Sequence, residues 1–439
     1  MTSAQKLENM SPELLKVVER AKERPEERFT SLAHLIDVPA LTRVYDRIRK
    51  GAAVGVDGVT KEDYGQELGG NLQDLHERLK SKQYRHQPIR RVHIPKEGGR
   101  TRPIGISAFE DKLVQGAVRD VLEAIYEQDF LNCSYGFRPG RSAHDAVRSI
   151  DRGVHRGEMR WILEADIASF FDSIDRKVLM EMLHIRVADK SLLRLVGKCL
   201  HVGVLDGEEL SSPDIGTAQG SALSPLLGNV YLHYVLDLWF EQEVRPRIGG
   251  RAMLVRYADD FIVCIERRGD AERMMEVLPK RMGRYGLTLH PDKTRLVPFG
   301  RPPAGQTRGK GPGTFDFLGF TFYWGRSQKG RWCMRCKTRL ARRRRAAKSI
   351  ADWCRRHRHL PVAVQHVALK RRIQGHFNYY GVSGNFRWLL WLVEQVRRSW
   401  HKWLRRRSQR TRLTWKRYAE LLERFPLPQP QIKVRIWGS

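Results

Sequence analysis

Apolar positions follow two periods along this chain: short β-type runs in the middle and helical spacing toward both ends. Trp161-Ile162-Leu163-Glu164-Ala165-Asp166-Ile167 reads as a buried strand with Asp166 near its C-terminal end. Ala168 to Asp175 follows as a turn into a helix beginning near Asp175. In Leu254-Val255-Arg256-Tyr257-Ala258-Asp259-Asp260-Phe261-Ile262-Val263, two β-prone runs flank a tight polar centre. That pattern predicts a β-hairpin with Asp259 and Asp260 at its tip. Arg90 to Ile106 predicts a second, basic hairpin turning at Gly98-Gly99. Glu13–Arg24, Leu41–Lys50 and Lys61–Lys82 read as helices, and a basic helix runs from Arg339 to about His357. The clearest helix comes last: Leu389, Leu392, Val393, Val396, Trp400, Trp403 and Leu404 recur at i, i+3, i+4 and i+7. Arg397, Arg398, His401, Lys402, Arg405 and Arg406 occupy its other face.

Composition sharpens this picture. The 439 residues carry 80 Lys+Arg against 49 Asp+Glu, a net charge of +31, the footprint of a polyanionic partner. Residues 331–439 hold 29 basic and 4 acidic side chains; the other 330 hold 51 and 45. A dedicated C-terminal binding module follows, with Arg342, Arg343, Arg344, Arg345, Arg397, Arg398, Lys402 and Arg405 as its candidate RNA contacts. No apolar run approaches the roughly 18–20 residues that span a bilayer, and Met1 to Lys16 lacks a signal-peptide core. An intracellular protein is therefore expected. Six irregularly spaced cysteines do not suggest a disulfide framework. Cys333-x-x-Cys336 and Cys354-x-x-His357 have zinc-like spacing, but both lie in Arg-rich segments that read as helices, so core cysteines are the default.

Two adjacent carboxylates between buried strands are costly without a cation beside them. A third at a strand end, Asp166, with an aromatic five positions later, makes the set similar to a nucleic-acid polymerase centre. In that chemistry clustered carboxylates hold two divalent ions roughly 4 Å apart, and Mg²⁺ suits a site that draws its other ligands from phosphate and water. Lys96, Arg100 and Arg102 on the basic hairpin suit triphosphate oxygens; an ordinary solvated hairpin is the alternative.

The order of motifs then becomes specific. Lys96-Glu97-Gly98-Gly99-Arg100-Thr101-Arg102-Pro103-Ile104-Gly105-Ile106 is followed by Tyr135-Gly136-Phe137-Arg138-Pro139-Gly140-Arg141-Ser142 and by Asp166 to Asp172. Gly216 to Leu227, Tyr257 to Asp260 and Phe315 to Phe320 complete the series. In this order the blocks resemble the reverse-transcriptase motifs of bacterial group II intron-encoded proteins. Arg372 to Gly381 resembles their maturase, or thumb, segment, and the likeness runs from about Leu32 to Trp437.

The resemblance implies that Asp166, Asp259 and Asp260 bind metal, joined by the backbone carbonyl of Ile167. It implies that Lys96 and Arg102 grip the triphosphate, and that Phe171 excludes a 2′ hydroxyl by steric clash. Gln219 and Gly220 match the segment beneath the nascent pair, although Ala218 stands where the family usually has proline and Ser221 where it has glycine or alanine. Phe317, Leu318, Gly319 and Phe320 match the primer grip, and Lys293 matches a proton donor to pyrophosphate.

The expected architecture is α+β, a right-hand polymerase whose antiparallel sheet carries the aspartates, followed by an all-α thumb. Residues 1–50 would form a helical extension, 51–325 the fingers and palm, and 326–439 the thumb. Arg301 to Gly313 reads as a surface loop. The expected activity is RNA-templated DNA synthesis from dNTPs with two Mg²⁺, on a DNA primer or target, coupled to binding and splicing of a group II intron RNA. No His, Asn and paired-Cys cluster trails the chain, so second-strand cleavage is not expected of it. Two alternatives stand beside this: a non-enzymatic RNA-folding maturase, for which loss of the aspartates would be the mark, and a domesticated reverse transcriptase in defence or repair. An intron RNA around the coding region would separate the latter. Oligomeric state is not legible.

Overall fold

A computed structural model describes residues 10–95, 101–156, 158–206, 209–211, 220–303, 312–327, 329–408 and 413–436. Lys96, Arg100, Ala218, Gln219, Trp437 and the centre of the 301–313 loop lie outside the described residues.

The N-terminal helices start where polar side chains cap them. The Ser11 hydroxyl accepts from the Leu14 amide at 3.3 Å, opening Pro12–Glu23. The Asp37 carboxylate accepts from Ala40 at 2.7 Å, opening Val38–Arg47 three residues earlier than the apolar spacing predicts. The helical stretch expected over Lys61–Lys82 divides into Lys61–Gly65 and Leu68–Lys80. Leu14, Val17, Ala21, Leu41 and Val44 are buried, and both capped helices pack on the long helix Phe109–Asp129.

The basic hairpin is present as β1 (Ile89–Pro95) and β2 (Thr101–Ile106). After helix Ala143–Arg156, β3 (Trp161–Asp166) leads into a short turn and helix Arg176–Arg186, which begins beside Asp175 as the sequence predicts and is capped by its carboxylate. Strands β4 (Val204–Asp206) and β5 (Glu209–Ser211) extend the hairpin to the order β2-β1-β4-β5, with β4 parallel to β1. The aspartate hairpin is β6 (Ala252–Tyr257) and β7 (Asp260–Ile265). With β8 (Arg295–Pro298) it forms an all-antiparallel sheet of order β6-β7-β3-β8.

Both faces of this sheet are covered, which explains why its strands read as nearly continuous apolar runs. Leu163, Ala165, Phe261 and Val263 face the core shared with helices Phe109–Asp129 and Arg268–Gly283. Ile162, Ile262, Cys264 and Val255 alternate to the other face. There they meet a second core built on β9 (Phe315–Phe317), β10 (Phe320–Arg326) and β11 (Trp332–Thr338).

The chain then becomes helical: Leu340–Arg356, Val362–Tyr380, Phe386–Arg405 and Trp415–Arg424 close around Leu369, Ile373, Phe377, Leu389, Leu392, Val396 and Trp400. Four expectations change here. Strand β11 falls inside 326–439, so that stretch is not all-α. Cys333 and Cys336 sit on strand β11, not a helix, and Cys336 and Cys354 belong to two different cores. His401 is buried, stacked on Trp415 at 3.9 Å between ring centres, and therefore leaves the basic face. Arg343 is also buried, its guanidinium 3.5 Å from the Trp388 ring centre. No described helix is long and apolar enough to cross a membrane.

Candidate active site

Antiparallel pairing of β3 with β7 sets Asp166 directly opposite Asp260. Tyr257 pairs with Asp260 across the hairpin, so Ala258 and Asp259 form a two-residue turn and Asp260 opens the strand. Such a turn asks for positive φ, and Ala258 adopts +56°. A non-glycine residue loses about 1–2 kcal/mol there. The Arg256 guanidinium donates to the Ala258 carbonyl at 3.2 Å, and a charged hydrogen bond of about 1.5–3 kcal/mol outweighs that strain.

Arg256 is itself fully buried beneath the turn. It donates to both Asp237 carboxylate oxygens at 2.7 and 2.5 Å, to Asn229 Oδ1 at 2.9 Å and to the Ser134 hydroxyl at 2.8 Å. Asn229 Nδ2 continues to the Gly136 carbonyl at 2.8 Å. A Cβ at Gly136 would collide with the Ala258 amide, which makes glycine necessary in that motif. Sequence reasoning passed over this network. Its signal was a lone arginine inside an apolar strand, which requires a buried partner.

The aspartates open onto a cleft of about 910 Å³. Arg102, Lys293, Arg339 and Arg342 also line it, with Phe171 and Tyr257. Phe171 is half-buried at the cleft while Phe170 is sealed in the core. The Lys293 ammonium pairs with the Asp166 carboxylate. Burial, and then the Asp166 and Asp259 charges, push the Asp260 carboxyl up to about 8. Asp259 is raised too, chiefly by burial, against the pull of Arg102 and Lys293. Crowded carboxylates that resist ionising together are the arrangement a divalent cation relieves. The donors are all oxygen, as Mg²⁺ requires. Among the described residues no three His, Cys, Asp or Glu side chains form a ready-made cage. Asp166 is instead engaged by the Lys293 ammonium.

Next to Asp166, Ile167 bridges Leu289 through its neighbours: Ala168 donates to Thr288 at 2.8 Å and His290 donates to Asp166 at 2.7 Å. Leu318 and Gly319 form the β9–β10 turn at φ +50° and +78° and line the cleft. Phe317 and Phe320 are buried, Phe320 against Tyr379 and Tyr380. Leu318 faces two ways: its backbone lowers the Asp260 carboxyl against the larger push of burial, and its carbonyl accepts from the Tyr379 hydroxyl at 3.0 Å. Arg344, Arg345, Lys402 and Arg405 are exposed on the helical module, whereas Arg397 and Arg398 pair with Glu394.

Residues 94–322 match the model of a family described as reverse transcriptase (RNA-dependent DNA polymerase). Protein YkfC of Escherichia coli K12 is 35% identical over 310 residues, covering 62% of this chain and 80% of that protein. The group II intron-encoded protein LtrA of Lactococcus lactis subsp. cremoris is 37% identical over 246 residues, 54% of this chain and 40% of LtrA. An uncharacterized 91 kDa protein in the cob intron of Schizosaccharomyces pombe is 34% identical over 273 residues, 50% of this chain and 33% of that protein. The chain thus spans less than half the length of the two intron-associated relatives.

Proposed function

From the premise that this chain belongs to the reverse transcriptase (RNA-dependent DNA polymerase) family, we propose that it synthesises DNA on an RNA template and binds a group II intron RNA. It assists that RNA's splicing and copies it at a DNA target. The observation that carries this reading is Asp166 facing Asp260 across β3 and β7, with Asp259 in the adjoining turn.

Residues 51–325 serve as fingers and palm, and 326–439 as the thumb. Asp166, Asp259 and Asp260, with the Ile167 carbonyl, hold two Mg²⁺; when bound, these ions acidify the primer 3′ hydroxyl and offset the charge of the departing pyrophosphate. Arg102, together with Lys96, orients the triphosphate, and the motif that contains Gln219 assigns it the contact to the nascent pair. Lys293, released from Asp166 as phosphate enters, is placed to protonate pyrophosphate. Leu318 and Gly319, backed by Phe317 and Phe320, steady the primer end. Catalysis of this kind is positioning plus electrostatics. The test is extension of a DNA primer on an RNA template with dNTPs and Mg²⁺; no extension under any divalent ion would remove the reading.

Phe171 fills the 2′ side of the sugar. Phe171→Ala is expected to lower discrimination against ribonucleotides by about 10–100-fold with dNTP extension retained. Paired dNTP and rNTP single-turnover assays measure this, and unchanged selectivity would take Phe171 off the gate.

The exposed arginines of the helical module contact RNA phosphates. Replacing Arg344 and Arg345 by glutamine is expected to flatten the dependence of log K on log salt by roughly 1–2 units. Arg343→Gln is expected to leave that slope alone, because its guanidinium lies under Trp388. Filter binding across a salt series checks both, and an unaltered slope in the double variant would place those arginines away from RNA.

A further inference from the structure

Phe137 breaks two rules at once. It is 59% exposed, and it holds φ +58°, a left-handed backbone that side chains other than glycine rarely adopt. Neither feature arises from a loose loop, since both neighbours are clamped. Gly136 is tied to Asn229 and pressed under Ala258. Arg138 is buried, donating to Glu127 at 2.7 and 2.9 Å and to the carbonyls of Leu131 and Ser134 at 2.7 and 3.0 Å. The strain is therefore built in and holds a bare aromatic ring outward, the pattern that marks a functional position.

The place of the ring is informative. Phe137 lines the aspartate cleft and also a neighbouring cavity of about 620 Å³, bounded by Ala222, Pro225 and the N-terminal helices. It stands where one opens beside the other. A strand copied in the cleft must run on beyond it as unpaired bases, and a rigid ring at the outlet offers what an unpaired base binds: a flat apolar face with cations nearby. Arg141, two residues past Pro139, lies over the Tyr135 ring at 5.4 Å, keeping positive charge on this loop.

We propose that Phe137 is a stacking platform for the first unpaired nucleobase of the template strand, outside the reacting pair. This rests on the polymerase reading above. The role is positioning and sequence-tolerant, because every base presents a π face.

The experiment uses the full chain and a primer–template whose first unpaired template base is 2-aminopurine, whose emission falls on stacking. Wild-type protein is expected to quench it on binding; Phe137→Ala and Phe137→Gly are expected to lose the quench, and Phe137→Trp to keep it. Affinity for overhang substrates should fall about tenfold in the first two variants, with blunt-ended duplex binding unchanged. Glycine accepts positive φ freely, so Phe137→Gly should melt no lower than wild type, which keeps a lost quench from being blamed on misfolding. A quench that survives in the alanine and glycine variants would overturn the platform while primer extension by wild type still stands. Absence of extension by wild type would instead overturn the polymerase reading.

Discussion

Asp259→Asn is expected to cut primer extension by about 10³-fold or more while leaving RNA affinity unchanged. The substitution keeps the size of the side chain and removes one charge from the group facing the divalent ions, and such ions contribute several kcal/mol to the transition state. Asp259 sits in the two-residue turn, so the change disturbs no ladder bond. Asp166→Asn should behave likewise, with an added consequence, since it also frees Lys293 from its ion pair. Single-turnover extension alongside filter binding measures both quantities. Equal extension by wild type and variant, or none in either, would favour an RNA-folding cofactor that has kept the scaffold.

The second large effect lies beneath the turn. Arg256→Met is expected to destabilise the protein by about 3–5 kcal/mol, the cost of leaving a buried carboxylate without its partner. Asp237 is fully buried, and Asn229, Ser134 and the Ala258 carbonyl lose a donor in the same stroke. The double variant Arg256→Met, Asp237→Leu should recover most of that loss, since apolar replacements of a buried pair are often neutral. It should remain slow in extension, because nothing then holds Ala258 in its left-handed conformation. Denaturant midpoints and extension rates separate the two effects. A single variant within 1 kcal/mol of wild type, or a double as unstable as the single, would refute the account.

Much of this centre was legible in advance because its signals are local. β3 and the β6–β7 hairpin were marked by apolar runs around acids, and the helix expected near Asp175 is Arg176–Arg186. The long helix expected around Leu389–Leu404 occupies Phe386–Arg405. What escaped depends on distant partners. Nothing in a helical wheel announces that Trp415 will cover His401 or that Trp388 will cover Arg343. The Cys333–Cys336 stretch was read through its arginines, yet Met334, Cys336 and Thr338 are buried at alternate positions, the strand period. Phe137 looked like an ordinary motif residue, because a backbone dihedral is invisible in a string of letters.

The two-sided use of Leu318 couples parts of the protein that the chain separates. One residue stands beside both: its backbone lowers the Asp260 carboxyl against the push of burial, and its carbonyl holds the end of helix Val362–Tyr380. A second tether runs from His144 Nε2 to the Tyr379 carbonyl at 2.7 Å. A shift of this helix end would therefore be transmitted to the β9–β10 turn beside Asp260 and to helix Ala143–Arg156.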